Sequence, residues 1–310
     1  MDLSSINPVL LIASLMVAST PILLAAIGEL VVEKSGVLNL GVEGMMIVGA
    51  ICGFATAVET GSPALGFLAA ALGGAVLASL FGLLTQYLLS NQVATGLALT
   101  LFGLGISALM GQGYVGVRPP SSPRLDLGPL SDLPVVGRIL FSHHPVVYLS
   151  LILVVGVWWF LRATRGGLIV RAVGESHEAA HALGYSVVRV RLLAILFGGA
   201  CAGLGGAFLS LVIVPQWTEG MTAGQGWIAL AIVVFASWRP WRVLIGAYLF
   251  GGVTVLQLNL QAAGVAIPVE LLSMSPYLIT IVVLVIISSD RSRAALNAPA
   301  SLGRVFHASE

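Results

Sequence analysis

Long apolar stretches set the strongest limit on what this chain can fold into. Nine of them approach or exceed the length needed to cross a membrane, which is about 20 helical residues for ~30 Å of hydrocarbon. They cover residues 8–31, 37–58, 63–89, 92–113, 144–161, 189–214, 223–237, 243–262 and 271–289. Because the seventh is short and the second is rich in glycine, we predict an all-α, polytopic membrane helix bundle with about nine spanning helices, within a range of eight to ten.

The composition agrees with a single membrane domain over residues 1–310. Hydrophobic residues make up 58% of the chain and charged residues 9%, whereas a soluble domain carries about 25% charged residues. The 37 glycines are spread through the apolar stretches, as in helices that pack closely in lipid. The net charge of +1 gives no indication of nucleic-acid binding, and we predict none.

The basic residues predict the orientation of the bundle. If the spans alternate, three arginines (Arg118, Arg124 and Arg138) fall on one side of the membrane and eleven basic residues on the other. The eleven are Lys34, Arg162, Arg165, Arg171, Arg189, Arg191, Arg239, Arg242, Arg291, Arg293 and Arg304. Because cytoplasmic loops are enriched in positive charge, we predict that the N-terminus lies outside and the C-terminus lies in the cytoplasm.

The loop at residues 163–188 contains a short predicted helix. Ser176 is a favourable N-cap, Glu178 falls in the first turn, and Gly184 suits the position just after the last turn. These signals predict a helix over residues 177–183. A helix of two turns is unstable alone in water, so it rests either on the bundle or on a partner. A solvated surface helix with no role is the alternative.

The same loop fits the zinc-protease pattern H-E-x-x-H at His177, Glu178 and His181. Two imidazoles one turn apart on a helix can bind zinc, with the glutamate as a general base. A third ligand is needed, and the position that would supply a histidine in the extended motif is Val187. A membrane zinc metalloprotease is therefore kept as an alternative function, but we predict neither a metal site nor catalytic residues.

The chain has no sequence for hydrolysing ATP by itself. Lys34 is its single lysine and follows Glu33, so a Gly-Lys-Ser/Thr phosphate-binding loop is absent from the sequence. Active transport would take its energy from another chain or from an ion gradient.

Several polar side chains interrupt the apolar stretches and are candidates for lining a solute path. Asn39, Glu43, Gln257 and Asn259 fall in or beside predicted spans, where a polar group is costly unless it is paired or faces a cavity. Contacts that only hold the helices together are the alternative for each. Glu29 and Glu43 could also serve an ion-coupled secondary transporter.

Three blocks of residues match a known family. They are GELVVEKSGVLNLGVEGMM at 28–46, RAVGESHEAAHALGY at 171–185, and GWIALA at 226–231 followed by WRP at 238–240. With these blocks the chain closely resembles the ABC-importer permeases for nucleosides, which belong to a wider group serving sugars and branched-chain amino acids. The likeness extends from about residue 15 to residue 290. The family usually has Asn-Pro where this chain has Ser176-His177, which leaves the start of the short helix open.

The resemblance implies a permease subunit of an ATP-driven importer, with nucleosides as the first candidate solutes and sugars or branched-chain amino acids as alternatives. It implies four kinds of partner: membrane lipid, a second homologous permease subunit, cytoplasmic ATP-binding subunits and an extracytoplasmic substrate-binding protein. No cofactor is expected in this chain, since the partner subunits use the ATP. The implied location is the bacterial cytoplasmic (inner) membrane.

The resemblance also assigns a role to the loop. In the family, the loop between the middle spans carries a coupling helix that enters a groove on the ATP-binding subunit. Carried onto this sequence, the coupling residues are Arg171, Gly174, Glu175, Ala180 and Gly184.

Overall fold

The computed structural model describes residues 8–123, 125, 128, 137, 139, 141–262, 268–288 and 298–307. Four arginines used to predict the orientation, Arg124, Arg138, Arg291 and Arg293, lie outside the described residues. The longer helices are α1 (Pro8–Lys34), α2 (Val42–Thr60), α3 (Pro63–Gly82), α4 (Gln92–Gly111), α5 (Pro145–Ala163), α8 (Val187–Phe208), α10 (Pro240–Ala262) and α11 (Val269–Ser288). Three shorter helices are α6 (Arg165–Glu175), α7 (His177–Ala182) and α9 (Gln225–Phe235).

The helices follow the predicted apolar stretches closely. In the part of the chain that the structure describes, seven helices are long and apolar enough to cross a membrane. The first six stretches and the eighth supply them, in two cases with a π-helical turn added at the end, Leu83–Tyr87 after α3 and Leu209–Ile213 after α8. The ninth stretch forms α11. The all-α bundle is confirmed, whereas the count of nine spans is not.

The seventh stretch differs from the prediction for a physical reason. It forms α9, which has 11 residues and is therefore only about 16 Å long at 1.5 Å per residue. A helix of this length crosses roughly half of the hydrocarbon layer.

Glycines on one helix, α8, hold the bundle together. Gly198 of α8 faces Gly28 of α1, Gly199 faces Gly74 of α3, and Gly206 faces the carbonyl of Met46 on α2. A Cβ atom at any of these three glycines would collide with the neighbouring helix. Backbones that approach this closely gain dispersion contacts along their whole length, which is the main source of helix association in lipid.

The same contacts show how deep the second span begins. Arg191, near the start of α8, donates to the carbonyl of Ser35, and Gly206 lies fifteen positions further along, opposite Met46. At 1.5 Å per residue these two levels are about 22 Å apart. Met46 lies in the second turn of α2, so helix α2 starts inside the bundle, above the level at which α1 ends, and residues 35–41, which are not helical, connect the two helices.

We expect Gly206→Ala to destabilise the protein, because the added methyl group meets the carbonyl of Met46. Overpacking of this kind costs about 1–3 kcal/mol. Gly105→Ala is the matched control, since nothing lies within 4 Å of a Cβ atom built there, and alanine favours a helix over glycine by up to about 1 kcal/mol. Thermal unfolding of the purified protein in detergent measures both. Equal melting temperatures for the two variants would contradict the packing role of α8.

Candidate functional site

Residues 35–41 place irregular backbone inside the bundle, and buried side chains satisfy its polar groups. The amide of Leu38 donates to Gln92 Oε1 (2.8 Å), and that of Asn39 donates to Glu29 Oε1 (3.3 Å). The carbonyl of Leu40 accepts from Thr100 Oγ1 (3.1 Å). Backbone at this depth has no water to bind, so each unsatisfied group would cost several kcal/mol. The polar side chains of the neighbouring helices provide the hydrogen-bond partners that this non-helical backbone lacks.

Asn39 stabilises the same break from within. Its Oδ1 accepts from the amide of Gly41 (3.0 Å), and its Nδ2 donates to Glu29 Oε2 (3.5 Å). The side chain is fully buried, so its amide bridges α1 and the residues that precede α2.

Glu43 joins two helix N-termini. It lies in the first turn of α2, and its carboxylate accepts from Thr222 Oγ1 (2.5 Å), the amide of Gly224 (2.9 Å) and the amide of Gly226 (2.7 Å). The last two amides belong to the N-terminus of α9, where the helix dipole favours an anion. Gly226 leaves the space for this carboxylate, since a Cβ atom there would lie 2.6 Å from the Glu43 Cα.

The four predicted path residues thus fall in two places. Asn39 and Glu43 lie together at the break, and every contact described above is with the protein itself. Gln257 and Asn259 lie elsewhere, half-buried on α10, where Asn259 Nδ2 donates to the carbonyl of Val255 in its own helix (2.8 Å). That any of the four lines a solute path stays a prediction.

A large cavity opens at the end of the bundle opposite the 163–188 loop. Its volume is about 1390 Å³. It lies between the first half of α1, the π-helical turn after α8, and the segments 116–122 and 142–144. The described polar residues that line it are Ser14, Arg118, Ser121, Ser122, Ser142, His143, His144 and Gln216.

The predicted short helix is present at the other end. Helix α7 covers His177–Ala182, and the Ser176 hydroxyl accepts from the amide of Ala179 (3.2 Å). Gly184 follows the last turn with φ of 86°, the left-handed conformation that glycine adopts without strain. The N-cap and the terminating glycine are confirmed, and the helix starts normally although the family's Asn-Pro pair is replaced.

The five predicted coupling residues do not share one environment. Arg171, Glu175 and Gly184 are exposed. Gly174 is buried against the carbonyl of Lys34, leaving no room for a Cβ atom, and Ala180 is 2% exposed. The exposed residues are available to a partner, whereas Gly174 and Ala180 fasten the loop to the bundle.

The two histidines of the H-E-x-x-H string are engaged in packing. His177 Nδ1 lies 3.3 Å from Arg191 Nη2, and because a guanidinium only donates, this nitrogen is the acceptor. The rings of His177 and His181 both meet the ring of Phe306, at 5.4 Å and 5.3 Å between centroids. Among the described residues, no group of three or more His, Cys, Asp and Glu could hold a metal ion.

Sequence reasoning did not identify Arg191 as a structural centre. It counted as one of the loop arginines, yet its side chain is 0% exposed and donates to the carbonyls of Ser35 (3.2 Å) and Arg304 (3.1 Å) as well as to His177. Its position at the start of an apolar span was the only available signal. Nothing in the sequence linked it to Arg304, 113 positions away.

A second contact that the sequence did not predict lies at the same end of the bundle. Trp238, in the turn between α9 and α10, donates its indole N–H to Glu33 Oε2 of α1 (2.5 Å). Trp238 has φ of 52°, a conformation that is uncommon for a bulky residue. The contact with Glu33 and the burial of both side chains hold it there.

Comparison with known proteins identifies the family. Residues 11–287 match the model of a family described as the permease component of branched-chain amino acid transport systems. The chain belongs to this permease family. No solved structure matches it.

The permease is similar along most of its length to several curated proteins. It is 44% identical to a putative glucose ABC transporter permease, TsgC13 of Haloferax volcanii, over 86% of this chain and 88% of that one. It is 33% identical to the nucleoside ABC transporter permease NupC of Lactococcus lactis, over 89% and 91%. It is 32% identical to the guanosine ABC transporter permease NupQ of Bacillus subtilis, over 92% and 93%.

The permease is therefore a subunit of an ABC transporter and a multi-pass protein of the inner membrane. Permeases of this family are not enzymes, and they work with ATPase subunits and substrate-binding proteins. Family membership removes the zinc metalloprotease and the ion-coupled secondary transporter as alternatives.

We expect Glu43→Gln to weaken the junction between α2 and α9. The amide group would turn a donor toward at least one of the three donors that Glu43 now accepts from, at a cost of about 1–3 kcal/mol. Glu59→Gln is the matched control, because Glu59 lies at the exposed end of the same helix and accepts from Tyr114, where a change falls within about 0.5 kcal/mol. Thermal unfolding in detergent compares the two. If Glu59→Gln lowered the melting temperature as much as Glu43→Gln, the stabilising role of Glu43 between α2 and α9 would be refuted.

We expect His177 to make the stability of the permease depend on pH. Burial, followed by the positive charge of Arg191, lowers the pKa of His177 below its ordinary value of 6.5. The unfolded chain then binds the proton more readily than the folded one, so stability is lost as pH falls below about 6.5. Melting temperatures between pH 7.5 and pH 5.5 should fall further for the wild type than for His177→Gln. His181→Gln is the control, and its melting temperature should fall with pH as much as that of the wild type. Equal falls for the wild type and His177→Gln would contradict the role of His177 in the pH dependence.

Proposed function

We propose that the permease forms the path of an ATP-driven importer for solutes that carry a sugar ring, with nucleosides as the first candidates and glucose as the second. The observation that supports this is the nature of the relatives described above. NupC and NupQ are named for nucleosides or guanosine and TsgC13 for glucose, and a furanose or pyranose ring is common to all these solutes. The identity to TsgC13 is the reason for keeping glucose.

The chemistry of the cavity supports neutral solutes over amino acids. Of the described residues that line it, Arg118 is the one with a permanent charge, and none carries a carboxylate. A branched-chain amino acid would bring an ammonium group with no counter-charge there, which is costly away from water. Serine hydroxyls and imidazoles instead match the hydroxyl groups of a sugar ring. On this proposal the cavity is the outer vestibule of the path.

Solute would continue from the vestibule past the polar side chains of the bundle. Asn39 and Glu43 at the break, and Gln257 and Asn259 on α10, remain the candidates for this part of the path. Discontinuous helices whose ends meet inside the membrane are a common feature of transporter sites, and the N-termini of α2 and α9 meet at Glu43.

The exposed side of α7 supports docking of an ATPase subunit. Leu183 is 76% exposed at the end of this helix, and Tyr185 follows it at the surface. Together with the exposed Ala179 and Ala182 they form an apolar ridge flanked by Glu175 and Arg171. Such a ridge fits a groove in a partner, and movement of that partner would be passed to the spanning helices through Gly174 and Ala180.

The assembly on this proposal has two permease subunits, two cytoplasmic ATPase subunits and an external binding protein, in a bacterial cytoplasmic membrane. The 163–188 loop faces the ATPases in the cytoplasm, so the N-terminus lies outside and the C-terminus inside. The positive charge at the loop end supports this orientation. Differential affinity of the ATPases for the two states of the permease pair would then drive alternating access.

Uptake by the complete transporter in proteoliposomes tests the proposal. We expect unlabelled nucleosides to compete strongly with a labelled nucleoside, glucose to compete more weakly, and leucine not to compete. Replacing the phosphate-binding lysine of the ATPase subunits should abolish uptake. Competition by leucine alone, or uptake that persists without the ATPase subunits, would contradict the proposed function. Binding of the same solutes to the isolated binding protein separates the selectivity of that protein from that of the permease.

A further inference from the structure

The segment 298–307 lies against the coupling loop and fastens the end of α6. The backbone amide of Ser301 donates to the carbonyl of Gly174 (2.9 Å), and the Ser301 hydroxyl donates to the same carbonyl (2.6 Å). Ser301 is 3% exposed. Two bonds to one carbonyl at the end of α6 fix the point from which α7 begins.

The same segment is also bound to the two central helices. The amide of Gly303 donates to the carbonyl of Gly36, just after α1 (3.1 Å). The carbonyl of Arg304 accepts from Arg191 Nη1 of α8 (3.1 Å). Residues 301–304 therefore join the coupling loop to α1 and α8, the two helices that pack along the centre of the bundle.

Phe306 completes the contact by holding α7 itself. Its ring is 7% exposed and meets the edges of His177 and His181, which lie one turn apart on the same face of the helix. Ala180, between them, packs with Phe306, Val173 and Val187 in a small apolar cluster. The buried residues of α7 are His177 and Ala180, so Phe306 contacts the whole docked face of a helix that is too short to be stable alone.

We propose that Phe306, supported by Ser301, is a positioning residue for transport. It keeps α7 docked on α8, so that a movement of the ATPase subunits displaces the spanning helices instead of only tilting α7. This inference rests on the proposed coupling role of α7. It gives His177 and His181 a function, since their rings form the socket for Phe306.

The decisive experiment measures uptake per ATP hydrolysed by the complete transporter in proteoliposomes. For Phe306→Ala we expect a fall of roughly 5-fold or more in this ratio, the scale of two lost aromatic contacts, with ATP hydrolysis retained. Phe306→Tyr keeps the ring and should restore the wild-type ratio. His307→Ala is the matched control, because His307 is the exposed neighbour. An unchanged ratio in Phe306→Ala, or an equal fall in His307→Ala, would overturn the proposal.

A second measurement tests the docking of α7 without any partner. A spin label at Leu183→Cys, in a chain with Cys52 and Cys201 replaced by alanine, reports the mobility of the helix end in detergent. We expect a large increase in the mobility of the label in Phe306→Ala and a smaller increase in Ser301→Ala. His307→Ala should leave the mobility unchanged. Identical spectra would refute the docking role. If the wild-type transporter shows no ATP-dependent uptake, the proposed function fails, while the spin-label result still decides whether Phe306 positions α7.

Discussion

Satisfying the backbone of residues 35–41 inside the bundle is the constraint on which the architecture depends. A membrane interior offers no water to a carbonyl or an amide, so a break in a spanning helix needs side-chain partners from other helices. Here Glu29, Gln92 and Thr100 provide them. Glu43 then closes the N-terminus of α9. The break, the short helix and the buried carboxylate form one arrangement, because removing any one leaves polar groups of the others without partners.

The glycines of α8 and of α4 fix the helices around this arrangement. Thr100 of α4 reaches the backbone of the break because Gly44 and Gly103 let α2 and α4 meet backbone to backbone. Gly199 and Gly206 allow α3 and α2 to lie against α8 with nothing but backbone between them. Such contacts have no flexible side chains that could absorb a displacement, so α1, α2, α3 and α8 are expected to move as one body. The 163–188 loop is attached to this body through Gly174 and Arg191.

The elements that local chemistry determines were predictable from the sequence. The apolar runs predicted the long helices. Ser176 and Gly184 predicted α7 to within one residue at its C-terminal end, because caps act within one turn of the helix. The partners of Glu43 were not predictable, because Thr222 lies 179 positions away and no local pattern encodes that distance. Because a polar group is costly in hydrocarbon, the sequence marked Asn39 and Glu43 as candidate functional residues. It did not show which groups they bind. Arg191 and Phe306 were missed for the same reason.

The contacts of the segment 298–307 also bear on how the protein is made. A chain is synthesised from its N-terminus, and Ser301 and Arg304 follow every spanning helix in the sequence. Until they emerge, the carbonyl of Gly174 lacks its two bonds to Ser301, and Arg191 lacks its bond to the carbonyl of Arg304. The 163–188 loop therefore gains these contacts only after the described spanning helices have been made. On the proposed function, an ATPase subunit that recognises the docked helix α7 would find it only on chains whose spanning helices are already in place.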